Sequence, residues 1–334
     1  MARTGRGLWW SGLPVNKVSI IGAGAWGTAL ALVAVRAGNQ VTLWARDPAR
    51  AAEIAATRIN PRLPGIVLPP DITVTDTLPL AEIALLAVPL QNLRQTLRRM
   101  PRCAVLVDCA KGVEAGNLAL PLDILVEEAP WAAHAVLTGP NFAHEIARSL
   151  PAAAVVAARD ESVRKTVMAA LATPEFRLYG NDDPVGAQLG GAAKNVVAIA
   201  AGAAIGAGMG ENARAALVTR GLAEITRLAV AMGGQAATVA GLSGLGDLLL
   251  TCTGPGSRNF RVGFALGEGK PFAEALASIS GVAEGVPTAP AMVQLAESLG
   301  VSLPICHSVA RLVSGEASVA HEMVALLSRP MRDE

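Results

Sequence analysis

Val18-Ser19-Ile20-Ile21-Gly22-Ala23-Gly24-Ala25-Trp26-Gly27 is the most telling stretch of this 334-residue chain. An apolar, β-favouring run leads straight into G-x-G-x-x-G, and a helical run from Thr28 to Arg36 follows. In that setting each glycine has a physical task. Gly22 makes the tight turn, Gly24 lets backbone approach a pyrophosphate, and Gly27 permits close packing of helix on strand. N–H groups at the helix start add donors and partial positive charge for the phosphates. A glycine-rich turn alone can be no more than a tight strand-to-helix connection. A second strand at Gln40–Trp44 completes the unit that binds a dinucleotide.

Outward from this unit, short β-rich runs alternate with helical ones, the pattern of a mostly parallel sheet wound with helices. The expected strands are Lys17–Ile21, Gln40–Trp44, Ile72–Thr75, Ile83–Val88, Ala104–Asp108, Ala135–Thr138, Ala152–Val156 and Glu175–Tyr179. After Asn181-Asp182-Asp183-Pro184 the character changes to long Ala/Leu/Gly runs with helical spacing and no alternating strand. The reading is an N-terminal extension (1–16), an α/β dinucleotide-binding domain (17–181) and an all-α domain (182–334).

Composition narrows the function classes. Apolar residues make up 52% and charged ones 16%, the opposite of a disordered chain. Lys and Arg total 28 against 27 Asp and Glu, so there is no basic excess to suit a nucleic acid. Aromatics at 3% leave little surface for stacking bases. Cys103, Cys109, Cys252 and Cys306 form no C-x-x-C pair, which fits reduced thiols, a cytoplasmic location and no metal site. Mean hydropathy of +0.42 raises the question of a membrane. Val18–Val35 is uncharged and Pro184–Gly210 carries only Lys194, yet both are rich in Gly and Ala and lack aromatic flanks. No stable membrane insertion is expected. Arg3, Arg6 and Lys17 before the first apolar run also fit a signal peptide, but the glycine spacing accounts for that run better.

The second strand ends in Leu43-Trp44-Ala45-Arg46-Asp47-Pro48. An acid near this point holds the ribose 2′-hydroxyl of NAD, whereas an Arg can take the 2′-phosphate of NADP. Asp47 before Pro48 has the look of a helix N-cap, so Arg46 tips the balance toward NADPH with NADH still accepted.

Two charges stand alone in the second half. Lys194 is the only one between Asp183 and Glu211, and Asp247 the only one between Arg227 and Arg258. A charge in so apolar a segment must be answered by a partner or a ligand. Burial also depresses a lysine pKa, as a proton carrier requires. Lys194 can instead snorkel to solvent, and Asp247 can be a simple N-cap before a Leu run. Ser257-Arg258-Asn259 follows a Gly/Pro loop and suits an anion at a helix start. Lys111-Gly112 lies just past the strand ending at Asp108, on the sheet edge where ligands bind. Together these residues suggest a nicotinamide-dependent reductase of a phosphorylated or carboxylated carbonyl compound.

Gly22–Leu30, Trp44–Pro48, Lys111–Glu114, Gly139–Ala143, Gly191–Ala198, Gly244–Thr253, Ser257–Asn259 and Val282–Thr288 resemble, in order, the bacterial-type NAD(P)-dependent sn-glycerol-3-phosphate dehydrogenases. The resemblance implies a Rossmann-type domain followed by a helical domain like the C-terminal one of 6-phosphogluconate dehydrogenase. It implies reversible reduction of dihydroxyacetone phosphate for glycerophospholipid synthesis. Lys194 would exchange the proton at the C2 oxygen. Lys111, Gly139, Asn141, Asp247, Ser257, Arg258 and Asn259 would surround the substrate. Gly22, Gly24, Ala25, Trp26, Gly27, Arg46, Lys111, Ala143, Arg258, Val282 and Glu284 would bind NADP or NAD. Asn141 and Leu90 depart from the Ser/Thr and Ser usual at their positions. A small phosphorylated substrate and a homodimer are expected, since the Gly/Ala-rich helices can pack within one chain or against a second. A 3-hydroxyacid dehydrogenase of the same layout and a non-catalytic NADPH-sensing regulator are the alternatives.

Overall fold

The structure, a computed structural model, describes residues 16–279 and 281–328. All but the last residue of the expected N-terminal extension lies outside them.

Eight strands form one sheet: β1 (Lys17–Ile21), β2 (Gln40–Trp44), β3 (Ile72–Thr75), β4 (Ile83–Leu86), β5 (Val105–Asp108), β6 (Ala133–Thr138), β7 (Ala152–Ala157) and β8 (Phe176–Asn181). The order is β3-β2-β1-β4-β5-β6-β7-β8, parallel throughout except for the β6–β7 pair. Strand order reverses between β1 and β4, which opens a crevice beyond their carboxyl ends. The first three strands have the expected bounds; the next four differ by one to two residues at one end, and β8 starts one residue later and ends two later. β4 stops at Leu86, ahead of Pro89 and the short turn Leu90–Asn92.

The helix after β1 spans Ala25–Arg36, three residues earlier than its composition suggests, and so Gly27 lies inside its first turn. The early start is possible because Gly27 has no Cβ: one built there would strike the Gly22 carbonyl oxygen. Ile20, Leu30, Leu43 and Leu85 are fully buried in the core beneath this helix.

Beyond Asn181 the described residues form helices and no strand. Pro184–Gly206 is the centre of this domain, and 83% of its apolar window is buried inside the protein. It is long and apolar enough to cross a bilayer, but that apolar surface is spent on the domain's own core. Val196, Ile199, Leu228, Met292 and Val309 pack in one cluster around it. Helix Arg258–Gly267 lies against it almost backbone to backbone. A Cβ on Gly263 would strike the Ile199 carbonyl oxygen, and one on Gly202 the Phe260 carbonyl oxygen. The Gly/Ala richness of these helices therefore serves packing within one chain, and it sets Arg258 and Asn259 beside the middle of the central helix.

Candidate active site

At the end of β1 the chain turns at Gly22 with φ +119°, and a Cβ there would lie 2.6 Å from the Ala87 carbonyl oxygen. Gly24 faces open space, with nothing within 4 Å of the position a Cβ would occupy. The helix starting at Ala25 has no side-chain cap and no acidic residue in its first turn. Its first N–H groups are thus left for an anion, as a pyrophosphate requires. Ala25 and Trp26 form the first turn, half-buried, and Ala143 opens the helix Ala143–Ala147 packed beside it. Arg46 is exposed just past β2. Asp47 caps the next helix, accepting from the Ala49 N–H at 3.0 Å, as its place before Pro48 suggests. These features fit a dinucleotide.

A second set of groups meets where the helical domain faces the carboxyl edge of the sheet. Lys194, on the central helix, is 8% exposed, and Asp247 is 0% exposed. The Lys194 ammonium is paired with Asp247 Oδ1 and donates to Thr251 Oγ1 at 2.9 Å. Lys111 Nζ stands 2.5 Å from Asp247 Oδ2. One buried carboxylate therefore bridges two ammonium groups. Burial pushes the Lys194 pKa down to about 7, against the pull of Asp247 and with added help from Lys111. Neither bland reading survives. Lys194 does not snorkel to solvent, and Asp247 continues a π-helical turn over Leu242–Gly246 with its side chain on the lysines.

Around this pair, several buried polar atoms have no partner in the protein: Asp108 Oδ2, Thr138 Oγ1, Thr288 Oγ1 and both amide atoms of Asn141. Each such atom costs about 1–3 kcal/mol unless water or a ligand answers it. Lys111 Nζ is 3.5 Å from the Gly139 carbonyl oxygen, so the Gly139–Asn141 loop lies alongside the lysines. Thr138 and the Lys111 stem both lie under Gly191, where a Cβ would be 3.0 Å from Thr138 Oγ1. Burial pushes the Asp108 carboxyl well above the usual range.

The Ser257–Asn259 segment is placed differently from a simple row of phosphate ligands. Ser257 Oγ caps its helix, accepting from the Phe260 N–H at 3.2 Å. Asn259 donates to Asn195 Oδ1 at 2.8 Å and accepts from the Gly285 N–H at 3.0 Å. Its amide is a brace between three helices and ties the segment to the neighbour of Lys194. Arg258 remains exposed at the helix start. Gly281 lies against it, since a Cβ there would be 2.5 Å from one Arg258 nitrogen and 3.4 Å from an Arg62 nitrogen. Burial raises the Glu284 pKa to about 7 against the attraction of Arg258, while Val282 stays exposed nearby.

Thr251 and Arg62 belong to this arrangement and were not singled out from the sequence. Thr251 had one available signal, its place one helical turn after Asp247. No group of His, Cys, Asp and Glu suited to a metal occurs among the described residues.

The family model described as the NAD-dependent glycerol-3-phosphate dehydrogenase N-terminus matches residues 17–164, and that of the C-terminus matches 183–324. A glycerol-3-phosphate dehydrogenase [NAD(P)+] from Acidiphilium cryptum is 55% identical over 320 residues, covering 95% of this chain and 98% of that protein. Its counterpart from Gluconobacter oxydans is 51% identical over 318 residues, covering 94% and 97%. The crystal structure of the glycerol-3-phosphate dehydrogenase of Coxiella burnetii is 35% identical with a TM-score of 0.90, covering 94% of this chain and 99% of that one. These matches run through both the sheet domain and the helical domain, with the glycine turn and the Lys194–Asp247 pair inside them. The chain belongs to the NAD-dependent glycerol-3-phosphate dehydrogenase family.

Proposed function

We propose that the chain catalyses the reversible, NAD(P)H-dependent reduction of dihydroxyacetone phosphate to sn-glycerol 3-phosphate, supplying glycerophospholipid synthesis. The observation that carries this reading is the buried Lys194–Asp247–Lys111 arrangement at the carboxyl edge of a dinucleotide-binding sheet. When bound, the nicotinamide supplies or takes the hydride at C2 of the substrate. The chain's own residues handle charge and proton. Lys194, as ammonium, donates a hydrogen bond to the C2 oxygen and gives up its proton as negative charge develops there. Oxidation runs the same step backwards, with the neutral amine accepting the proton. Asp247 holds Lys194 in place and keeps it from losing its charge outright in so dry a site. Lys111 and Arg258 supply cations for the phosphate, and the Asn141 amide faces the substrate with a donor and an acceptor.

Gly22, Gly24 and Gly27 would hold the dinucleotide together with Ala25, Trp26 and Ala143, and Val282 and Glu284 would lie against it beside Arg258. NADPH is favoured because Arg46 is exposed at the end of β2 while the Asp47 carboxylate is committed to the Ala49 N–H. The dinucleotide domain would close at residue 181 and the helical domain begin at 182, between the end of β8 and the helix starting at Pro184. A cytoplasmic homodimer completes the proposal, and four free thiols suit that compartment.

Purified protein mixed with NADPH and dihydroxyacetone phosphate tests it. Saturable loss of NADPH absorbance supports the reaction. Loss only with 3-oxo acids would support the 3-hydroxyacid alternative, and NADPH binding without turnover the regulator.

A further inference from the structure

The turn that carries Lys111 is held from outside the cleft. Arg94, in the short helix Leu93–Leu97, places its guanidinium across Glu114 as a fork, with bonds of 2.9 and 2.8 Å to the two carboxylate oxygens. Its remaining nitrogen reaches Glu127 at 2.6 Å and Glu128 at 2.8 Å. Arg98 grips Glu128 in turn at 2.9 and 2.7 Å. One turn earlier, Gln91 donates to the Val113 carbonyl oxygen and accepts from the Ala115 N–H, both at 3.0 Å. Leu90 is buried against Gly112, where a Cβ would come within 3.1 Å of it. Residues 112 to 115 are thus each held by residues 90 to 94.

An exposed ion pair adds little to stability. This one is forked, networked and mostly covered: the side chains of Arg94 and Glu114 are 18% and 10% exposed. Its geometry therefore counts for more than its energy, because a guanidinium fork fixes both distance and plane. What it fixes is the backbone immediately after Lys111, whose ammonium crosses to Asp247 on the other domain.

We infer that Arg94, assisted by Gln91, is a positioning residue that sets the place of the Lys111 ammonium and through it the binding of the substrate phosphate. Neither residue touches the substrate. The inference rests on the dehydrogenase reading above.

The test is a cycle of four proteins: wild type, Arg94→Lys, Lys111→Met and the double variant. Lysine keeps the charge of Arg94 and loses the fork. Arg94→Lys should raise KM for dihydroxyacetone phosphate about tenfold while kcat stays within about twofold of wild type. In the Lys111→Met background the same change should move KM by less than about twofold, because its effect passes through Lys111. An unchanged KM in the single variant, or the same fold-change in both backgrounds, overturns the inference. Should Arg94→Lys fail to fold, Gln91→Leu takes its place in the cycle with an expected rise in KM of about threefold. Amide exchange gives a readout that needs no substrate. The Ala115 N–H should exchange faster in either variant, and unchanged exchange contradicts the clamp. A wild-type protein inert toward dihydroxyacetone phosphate overturns the functional reading instead, with the exchange result still deciding whether the clamp exists.

Discussion

Lys194 and Asp247 lie 53 residues apart in the chain and meet as a buried ion pair, with Lys111 on the second oxygen of the same carboxylate. The arrangement joins the two domains through charge. It also leaves one anion to answer two cations, and the Lys111 charge adds to the burial that lowers the Lys194 pKa. A substrate phosphate and a developing alkoxide supply the missing negative charge in turn.

Asp247→Asn leaves two ammonium groups facing each other with no counterion. Breaking a buried pair in this way costs about 3–5 kcal/mol. The variant should melt well below wild type and lose turnover by about 100-fold or more. An Asp247→Asn protein with wild-type melting and kcat would remove the aspartate from both roles.

The lowered Lys194 pKa fixes the sign of the pH dependence. Reduction needs the ammonium, so kcat/KM for dihydroxyacetone phosphate should fall as pH rises through about 7. Oxidation of glycerol 3-phosphate needs the neutral amine and should rise over the same range. Parallel profiles in the two directions would show that another group carries the proton.

Arg46→Ser removes the cation at the end of β2 and leaves Asp47 capping its helix. The ratio of kcat/KM for NADPH over NADH should drop about tenfold, the value of one charge-assisted contact. A ratio that does not change would place the 2′-phosphate elsewhere.

The close approach of helices Pro184–Gly206 and Arg258–Gly267 depends on glycine. Gly263→Ala puts a methyl group into the Ile199 carbonyl, and backbone must move. Overpacking of this kind costs about 1–3 kcal/mol. The variant should melt lower and raise KM for substrate, because Arg258 sits on the displaced helix. A Gly263→Ala protein with wild-type melting would mean the helices sit farther apart than described.

Local features were legible in the sequence. The first three strands, the glycine turn and the Asp47 cap follow from residue types over a few positions, and each is where its local chemistry puts it. The isolation of Lys194 and Asp247 announced two charges in need of partners. What sequence could not choose was who the partners are, because the two ion pairs form across 53 and 136 residues. In the sequence Asp247 reads equally well as an N-cap, and only the π-helical turn before it removes that reading. The sequence places Asn259 beside the substrate; its bonds to Asn195 and Gly285, which the sequence does not announce, use one N–H and one lone pair of the amide and leave a second N–H. Arg94 gives no signal, since it is not isolated among other charges, and Glu114 enters only as the end of the Lys111–Glu114 stretch. The helix start at Ala25 was missed because Gly and Trp are weak helix formers, and tertiary packing against β1 and Ala87 overrides that preference.

The most direct test of the account is Lys194→Met, measured for NADPH binding and for reduction of dihydroxyacetone phosphate side by side. The NADPH Kd should stay close to wild type while kcat falls by about 1,000-fold or more. A variant that binds NADPH and turns over within about tenfold of wild type would contradict the assignment of the proton to Lys194.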